Sequence, residues 1–223
     1  LSGGIIKALA DYYDKDDLTI IILDSHTDAI PMNCLASAIY YDIENNPHSC
    51  HDPNDPLIYN RTNSYNASSF LYYLLENDII YKKNTFILGI NDFPGKRAFR
   101  IKDPRIKEYV SAYSSLKRNG VKLFNKNDCC LFINKISNLL NQINTQYVYI
   151  SCDLDVCANN GCYGVRFDNY TGMSKNQIYK LVTIIKDVLL QKKKNIVVAG
   201  YLNTLYKIDS SINIFNTSVN ILS

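Results

Sequence analysis

Short apolar runs rich in β-branched residues recur along the chain at broad intervals. They cover residues 18–23, 85–90, 121–124, 147–152 and 195–199. Unbroken apolar runs of this length are typical of strands that are buried on both faces of a parallel sheet. The pattern therefore predicts five strands, and the first of them has the sequence LTIIIL.

Helical periodicity fills most of the stretches between these runs. It predicts helices over residues 5–13, 68–76, 104–119, 128–143 and 174–190. Gly120 is placed to end the third helix, and Ser174 to cap the last one. The alternation of strands and helices predicts an α/β fold of three layers, α/β/α, with a mainly parallel central sheet. Residues 29–64 are polar and rich in proline, and we expect a long loop there.

Composition and charge narrow the class of protein. The chain has 223 residues, of which 47% are hydrophobic and 20% charged, and this suits a single domain over residues 1–223. The net charge is only +3 and the basic residues are scattered, so we expect no nucleic-acid partner. No apolar run has the length of a membrane span, so we expect no membrane partner either. The seven irregularly spaced cysteines argue against a disulfide-stapled secreted domain and favour a cytoplasmic protein.

Hard metal ligands follow two of the predicted strands. Asp24, His26 and Asp28 come directly after the first strand, and Asp153 and Asp155 come directly after the fourth. The carboxyl ends of parallel strands meet at one edge of a sheet, so both clusters are expected on the same rim. If the chain stays extended there, alternate side chains within each cluster point the same way.

The chemistry of these side chains favours divalent cations. Four carboxylates and an imidazole in one place repel one another unless cations neutralise them. Carboxylate-rich sites with a minority of imidazole suit Mn²⁺ or Mg²⁺, and carboxylates can bridge two ions about 3.5–4 Å apart. An Asp after a strand is also common as a turn former or helix cap, and for Asp153 and Asp155 alone that alternative is equally good. The two clusters together favour the metal site.

The two motifs resemble those of the ureohydrolase family, which includes arginase, agmatinase and formimidoylglutamase. The family's Asp-Ala-His-x-Asp motif is similar to residues 24–28, with Ser25 in place of Ala, and its Ser-x-Asp-x-Asp motif is similar to residues 151–155. The resemblance covers nearly all of the chain. It implies an arginase-like fold, a small-molecule substrate and assembly into a homo-oligomer.

The resemblance also implies a set of metal ligands and a reaction. Asp24 and Asp153 would each bridge two Mn²⁺ ions, and His26 and Asp155 would complete one of them. Asp28 would serve the other ion and is an expected catalytic residue as well. The implied reaction is hydrolysis of a C–N bond in a linear amidine or guanidine by a hydroxide held between the ions.

This sequence departs from the family pattern at functional positions. The family has a further ligand His upstream of the first motif, at a distance that runs off the front of this chain, so we expect an N-terminally truncated chain. Tyr201 stands where the family has a guanidinium-binding Glu, and it offers no carboxylate. Asn66 stands where arginase has a proton-shuttling His, and an amide cannot shuttle protons. Arginine itself is therefore a poor candidate substrate.

Two further residues are candidates for work on the substrate. Arg166 is able to bind a carboxylate through its bidentate fork, although an Arg near a strand end is more often structural or solvated. His51 is able to supply an acid/base group in place of Asn66, although a polar surface loop is the commoner role for such a segment. We therefore predict His51 as catalytic, and Asn66, Arg166 and Tyr201 as substrate-binding.

The leading hypothesis is a dinuclear manganese hydrolase of agmatinase-like or formimidoylglutamase-like activity. The alternative is a ureohydrolase-like protein that has lost catalysis and serves in binding or assembly, which Asn66 and Tyr201 motivate. A deacetylase-like reaction is a weaker third hypothesis, since only analogy between folds supports it.

Overall fold

A computed structural model describes residues 2–49, 51–55, 58, 62–158 and 171–202, with side chains up to residue 197. The strands are β1 (Leu18–Leu23), β2 (Thr85–Ile90), β3 (Lys122–Asn125), β4 (Tyr147–Asp153) and β5 (Asn195–Leu202). The helices are α1 (Ser2–Tyr13), α2 (Met32–Asn45), α3 (Phe70–Glu76), α4 (Pro104–Arg118), α5 (Lys126–Leu131), α6 (Ile133–Leu140) and α7 (Lys175–Gln191).

The five strands form one sheet in which every neighbouring pair is parallel. β1 and β2 have the predicted bounds, and all six residues of each are buried. Burial on both faces is the reason why they read as unbroken apolar runs. The predicted α/β fold with a mainly parallel central sheet is confirmed.

Two hydrophobic cores lie on opposite faces of the sheet. In β1, Ile21 and Leu23 belong to the core that α5, α6 and α7 cover, whereas Ile20 and Ile22 belong to the core that α1, α3 and α4 cover. Alternation of side chains along a strand produces this division. Among the residues that the structure describes, no helix is long and apolar enough to cross a membrane.

The strand order, β3-β2-β1-β4-β5, places a topological switch point at the carboxyl ends of β1 and β4. The chain runs outward from β1 through β2 and β3, and then returns to add β4 on the other side of β1. Helices on opposite faces leave a crevice at such a point, and ligands of open α/β sheets bind there. The register pairs Leu23 with Cys152, so Asp24 and Asp153 leave neighbouring strands at the same level.

The prediction of a long loop over residues 29–64 is wrong, because α2 occupies much of it. Pro31 directly precedes the helix as its N-cap, where a missing N–H costs no helical hydrogen bond. α2 packs on α4, and the guanidinium of Arg105 forms an ion pair with Glu44 at 2.8 Å and lies over the ring of Tyr41. The polar composition of α2 reflects its half-buried position rather than the absence of structure.

The single helix predicted over residues 128–143 is two helices in the structure. Phe132 ends α5 and begins α6, with φ −114° and ψ 35°, outside the helical region. α5 starts earlier than predicted because Asn125 and Asp128 form a capping box. The Ser174 cap of α7 is confirmed, and Gln177 completes a capping box there.

Candidate metal centre

The five residues that follow β1, residues 24–28, form a loop rather than a continuation of the strand. We call this segment the β1 loop. The Asp24 N–H donates to the Leu88 carbonyl at 3.0 Å, and the Asn91 N–H donates to the Ser25 carbonyl at 2.8 Å. The loop is therefore hydrogen-bonded to β2 and to the residue that follows it. Asp28 has φ 49°, in the left-handed region. The chain is therefore not extended here, so the condition under which alternate side chains would point the same way is not met after β1.

The segment after β4 turns at once toward the β1 loop. A 3₁₀ turn covers Leu154–Val156, and the Asp153 side chain caps it by accepting a hydrogen bond from the Asp155 N–H at 3.2 Å. This turn brings Asp155 within reach of the neighbouring loop, where its Oδ1 accepts from the Ser25 N–H at 3.3 Å. Two turns, not two extended strands, bring the ligands together.

Three of the predicted metal ligands form a tight group. Atoms of Asp24, His26 and Asp155 that can bind a metal all lie within 4.8 Å of one another. His26 Nδ1 is 2.9 Å from Asp155 Oδ2 and 3.7 Å from Asp24 Oδ1. The side chains of both carboxylates are 7% exposed and that of the imidazole is 58% exposed. The two carboxylates of the group are thus buried, whereas its histidine is exposed to solvent.

The two remaining predicted ligands, Asp28 and Asp153, line a cavity of about 270 Å³ together with Asp24. The start of α1 and Asn66 also line this cavity, which we call the inner cavity. Asp24 therefore belongs to both sets of carboxylates. Asp24 is thus the residue that the ligand group and the inner cavity have in common.

A second cavity, of about 500 Å³, also borders the β1 loop. His26, Asp28 and His51 line it together with apolar side chains of α2, and we call it the outer cavity. The predicted catalytic His51 and the predicted substrate-binding Asn66 thus lie in different cavities that share Asp28.

Crowding of negative charge at this rim alters the acidity of its side chains. Burial, with the charges of Asp155 and Asp153, raises the pKa of Asp24 to about 7. Burial, with the charge of Asp24, also raises the pKa of Asp28 well above its ordinary value. Burial alone would raise the pKa of Asp155, but hydrogen bonds from His26 and Ser25 and the charge of His26 lower it. Hydrogen bonds with Asp155 and Asp24 raise the pKa of His26 to about 11.

These groups fit a divalent cation. Among the described residues, His26 supplies the positive charge that acts on Asp24, Asp28 and Asp155. Buried carboxylates that hold protons for lack of countercharge are favourable ligands, because a cation replaces the proton and relieves the repulsion. Asp24, His26 and Asp155 would hold one ion, whereas Asp28 and Asp153 line the neighbouring inner cavity and do not join this group.

Comparisons with known proteins agree with the motifs and the fold. A model of the arginase family matches residues 1–199. The chain belongs to the arginase family. Comparison with curated protein sequences gives no significant match.

Solved structures of arginase-family enzymes share the fold of this chain at low sequence identity. The formimidoylglutamase of Bacillus subtilis subsp. subtilis str. 168 aligns with 99% of this chain and 55% of its own, at 17% identity and TM-score 0.59. The proclavaminate amidino hydrolase of Streptomyces clavuligerus aligns with 99% of this chain and 59% of its own, at 14% identity and TM-score 0.61. The arginase of Bacillus caldovelox aligns with 99% of this chain and 63% of its own, at 13% identity and TM-score 0.59. This chain therefore spans less than two thirds of the length of these enzymes.

Two predicted substrate-binding residues of this arginase-family chain have no described side chain. Arg166 lies outside the described residues. Tyr201 lies in β5, where its backbone pairs with Cys152 of β4, but its side chain is outside the described part. Their roles stay predictions.

Sequence reasoning missed Asp92, which follows β2 on the same rim. Its carboxylate accepts hydrogen bonds from both the backbone and the hydroxyl of Thr27, in the middle of the β1 loop. The signal was present in the sequence, since Asp92 comes two residues after the end of an apolar strand, as Asp24 and Asp153 come at the ends of theirs. It lacked the alternating ligand pattern that singled out the other two clusters.

The metal-free protein is expected to lose stability as the pH rises from 6 to 8. Asp24 has a raised pKa of about 7, so the folded state holds a proton that the unfolded state releases near pH 4, and this stability is lost as the pH rises through 7. The raised pKa of His26 acts with the same sign above its unfolded value of 6.5. Asp24 alone contributes about 1 kcal/mol over this range.

Thermal unfolding in the presence of a chelator measures this effect. The midpoint should fall from pH 6 to pH 8, and saturating Mn²⁺ should reverse the slope because ligands bind metal in their deprotonated forms. A midpoint that stays constant or rises with pH in the chelator would contradict the charge crowding described above.

Proposed function

We propose that this chain is a metal-dependent hydrolase that cleaves a C–N bond in a linear amidine or guanidine. The observation that carries the proposal is the group of Asp24, His26 and Asp155 at the switch point of the sheet, next to a cavity large enough for a small molecule. Membership of the arginase family supports this reaction class. Mn²⁺ is the proposed metal, and bound ions would make water available as a nucleophile near neutral pH.

The lining of the outer cavity supports a cationic substrate with an apolar body. The carboxyl groups of Asp28, Asp42 and Asp92 line this cavity, and ionised carboxylates there would attract an amidinium or guanidinium. The apolar part of the lining includes Ile30, Leu35, Ala38, Ile39 and Ile106. A hydrocarbon chain packs favourably on such walls. Agmatine has a guanidinium, a hydrocarbon chain and no carboxylate, so this lining favours an agmatinase-like reaction over hydrolysis of arginine.

His51 and Asn66 take different parts in the proposed reaction. His51 lines the outer cavity, where an imidazole is able to give a proton to the departing amine. Asn66 lines the inner cavity beside Asp24 and Asp28, where its amide is able to hydrogen-bond a substrate but not to transfer a proton.

A non-catalytic binding or assembly protein is the second candidate. The observation that favours it is Asn66, an amide beside the acidic ligands at the position where arginase has its proton-shuttling His. In this case the ligand group would bind metal, or stay protonated, without turnover.

Metal content and turnover together test the proposal. The protein is incubated with Mn²⁺, and bound metal per chain is measured by elemental analysis. The same sample is assayed for urea, ammonia or formamide release from agmatine, formimidoylglutamate and arginine, with acetylated amines included to detect deacetylation.

We expect two Mn²⁺ ions per chain, release from agmatine or formimidoylglutamate, and much slower release from arginine. Two bound ions without turnover of any amidine would favour the non-catalytic protein. Release of acetate alone would show the deacetylase reaction instead. Protein that binds no Mn²⁺ would reject the proposed metal site.

A further inference from the structure

We propose that Asp92 is a positioning residue that holds the β1 loop in the conformation that its metal ligands require. The inference deepens the proposed function, on which its metal-binding consequence rests. The loop carries Asp24, His26 and Asp28, but it has no regular secondary structure to fix it. Some other part of the molecule must therefore hold the loop in place.

Both carboxylate oxygens of Asp92 bind the same loop residue. Oδ1 accepts from the Thr27 hydroxyl at 2.8 Å, and Oδ2 accepts from the Thr27 N–H at 3.2 Å. Thr27 lies between His26 and Asp28, and it is 1% exposed. A two-point contact fixes both the position and the rotation of the Thr27 peptide, which a single hydrogen bond does not.

The conformation that Asp92 holds is one that the chain does not favour by itself. Asp28 has φ 49°, in the left-handed region that costs an L-residue roughly 1 kcal/mol. Asp92 anchors the chain just before this residue, and the Tyr72 N–H anchors it just after by donating to the Asp28 carbonyl at 3.0 Å. The two anchors hold the turn at Asp28, a residue that lines both cavities.

Two tyrosines of α4 support the contact between Asp92 and Thr27, one from each side of it. The Tyr109 hydroxyl donates to the Asp92 carbonyl, and the Tyr113 hydroxyl shares a hydrogen bond with the Thr27 hydroxyl at 2.8 Å. Tyr113 is fully buried, and its ring packs edge-on against those of Tyr109 and Phe93. We call this set of hydrogen bonds among Thr27, Asp92, Tyr109 and Tyr113 the brace. It connects α4 to the β1 loop, and its two tyrosines pack in or against the hydrophobic core.

Residues that hold ligands in this way tune metal affinity without touching the metal. Partners of metal ligands commonly contribute about 10- to 100-fold to affinity. Asp92 acts through the backbone of the loop, and the proposed ligands His26 and Asp28 lie on either side of Thr27. Loss of Asp92 is therefore expected to lower the affinity for both proposed ions.

The Asp92→Asn substitution tests the brace with two readouts that do not depend on turnover. Mn²⁺ affinity is measured by titration, with free Mn²⁺ followed by electron paramagnetic resonance. Hydrogen exchange of peptides covering the β1 loop is measured in chelator, where no metal contributes. We expect about tenfold weaker Mn²⁺ binding and faster exchange in the loop.

Asp103→Asn is the matched control. Asp103 caps α4 through the Arg105 N–H and is ion-paired with the Arg105 side chain, away from the β1 loop. This variant makes the same chemical change on the neighbouring segment, and it should leave both Mn²⁺ affinity and loop exchange at the wild-type level.

A second pair of variants decides the question if Asp92→Asn does not fold. Thr27→Val removes the hydroxyl at nearly constant volume, whereas Thr27→Ser keeps it. We expect weaker Mn²⁺ binding only in Thr27→Val, with Thr27→Ser restoring the wild-type affinity.

Folded Asp92→Asn with wild-type affinity and wild-type loop exchange would overturn the brace, as would equal affinities of the two Thr27 variants. If the wild-type protein binds no Mn²⁺, the proposed metal site fails, and the exchange comparison in chelator decides on the brace by itself.

Discussion

Replacing Asp24 with Asn is expected to abolish metal binding and amidine hydrolysis while making the metal-free protein more stable. Asp24 is a member of the group with His26 and Asp155 and also lines the inner cavity, so its loss removes a ligand of the proposed metal site. We expect Mn²⁺ affinity to fall by more than about 100-fold, beyond the effect of removing a partner of a ligand. No turnover should be detectable.

The gain in stability has a separate physical cause. Burial and the charges of Asp155 and Asp153 raise the pKa of Asp24 to about 7, so above that pH the fold holds a buried negative charge among others. An amide of the same shape removes that charge, and its oxygen is still able to accept the hydrogen bond from the His26 N–H, which is 2.7 Å long. At pH 8 in chelator the free energy of unfolding should rise by about 2 kcal/mol.

Chemical denaturation in chelator and Mn²⁺ titration of the same samples measure the two effects. Asp11→Asn is the control, because Asp11 is an exposed carboxylate paired with Lys7 on α1. It should change neither quantity. An Asp24→Asn protein that binds Mn²⁺ normally, or that is less stable than the wild type in chelator, would show that the acidic rim is a structural network rather than a metal site.

The sheet was predictable because its strands are buried on both faces. An apolar run such as residues 18–23 is identified as a strand by its short length and its β-branched residues, and β1 has the predicted bounds. The convergence of Asp24 with Asp155 was predictable for a related reason. Both follow parallel strands, and parallel strands end on one rim.

Features set by tertiary contacts were not predictable in the same way. α2 has a weak apolar pattern, and its position depends on packing against α4, including the ion pair of Glu44 with Arg105. The left-handed turn at Asp28 depends on Asp92, a residue more than sixty positions away in the sequence. The local sequence pattern predicts which residue types are ligands and at which edge of the sheet they lie. The positions of the ligand atoms depend on contacts with residues that are distant in the sequence.

The substitution of Gly89 by Ala is expected to cause the largest loss of stability among single methyl additions in the described sheet. Gly89 lies in β2 with φ 103°, a conformation that L-residues rarely adopt. An added Cβ would lie 2.4 Å from Val156 Cγ2 and 3.2 Å from the Asp24 carbonyl oxygen. Backbone strain and overpacking together should lower the free energy of unfolding by about 3 kcal/mol.

The same substitution should also weaken the metal site, because both of these neighbours belong to it. Val156 ends the 3₁₀ turn that carries Asp155, and the Asp24 N–H is hydrogen-bonded to Leu88, the residue before Gly89. The close approach of β2 to the two ligand-bearing turns therefore depends on the missing side chain. Mn²⁺ affinity should fall along with stability, whereas substitution of a glycine on the surface should lower neither.

Gly95→Ala and a double variant separate these causes. A Cβ at Gly95 meets nothing within 4 Å, so Gly95→Ala should leave stability and Mn²⁺ affinity unchanged. Adding Val156→Ala to Gly89→Ala removes the Cγ2 contact but keeps the strain at φ 103° and the contact with the Asp24 carbonyl. The double variant should therefore recover metal affinity more than stability. If Gly89→Ala is as stable as the wild type in denaturant titration, β2 does not approach the ligand turns as closely as the structure places it.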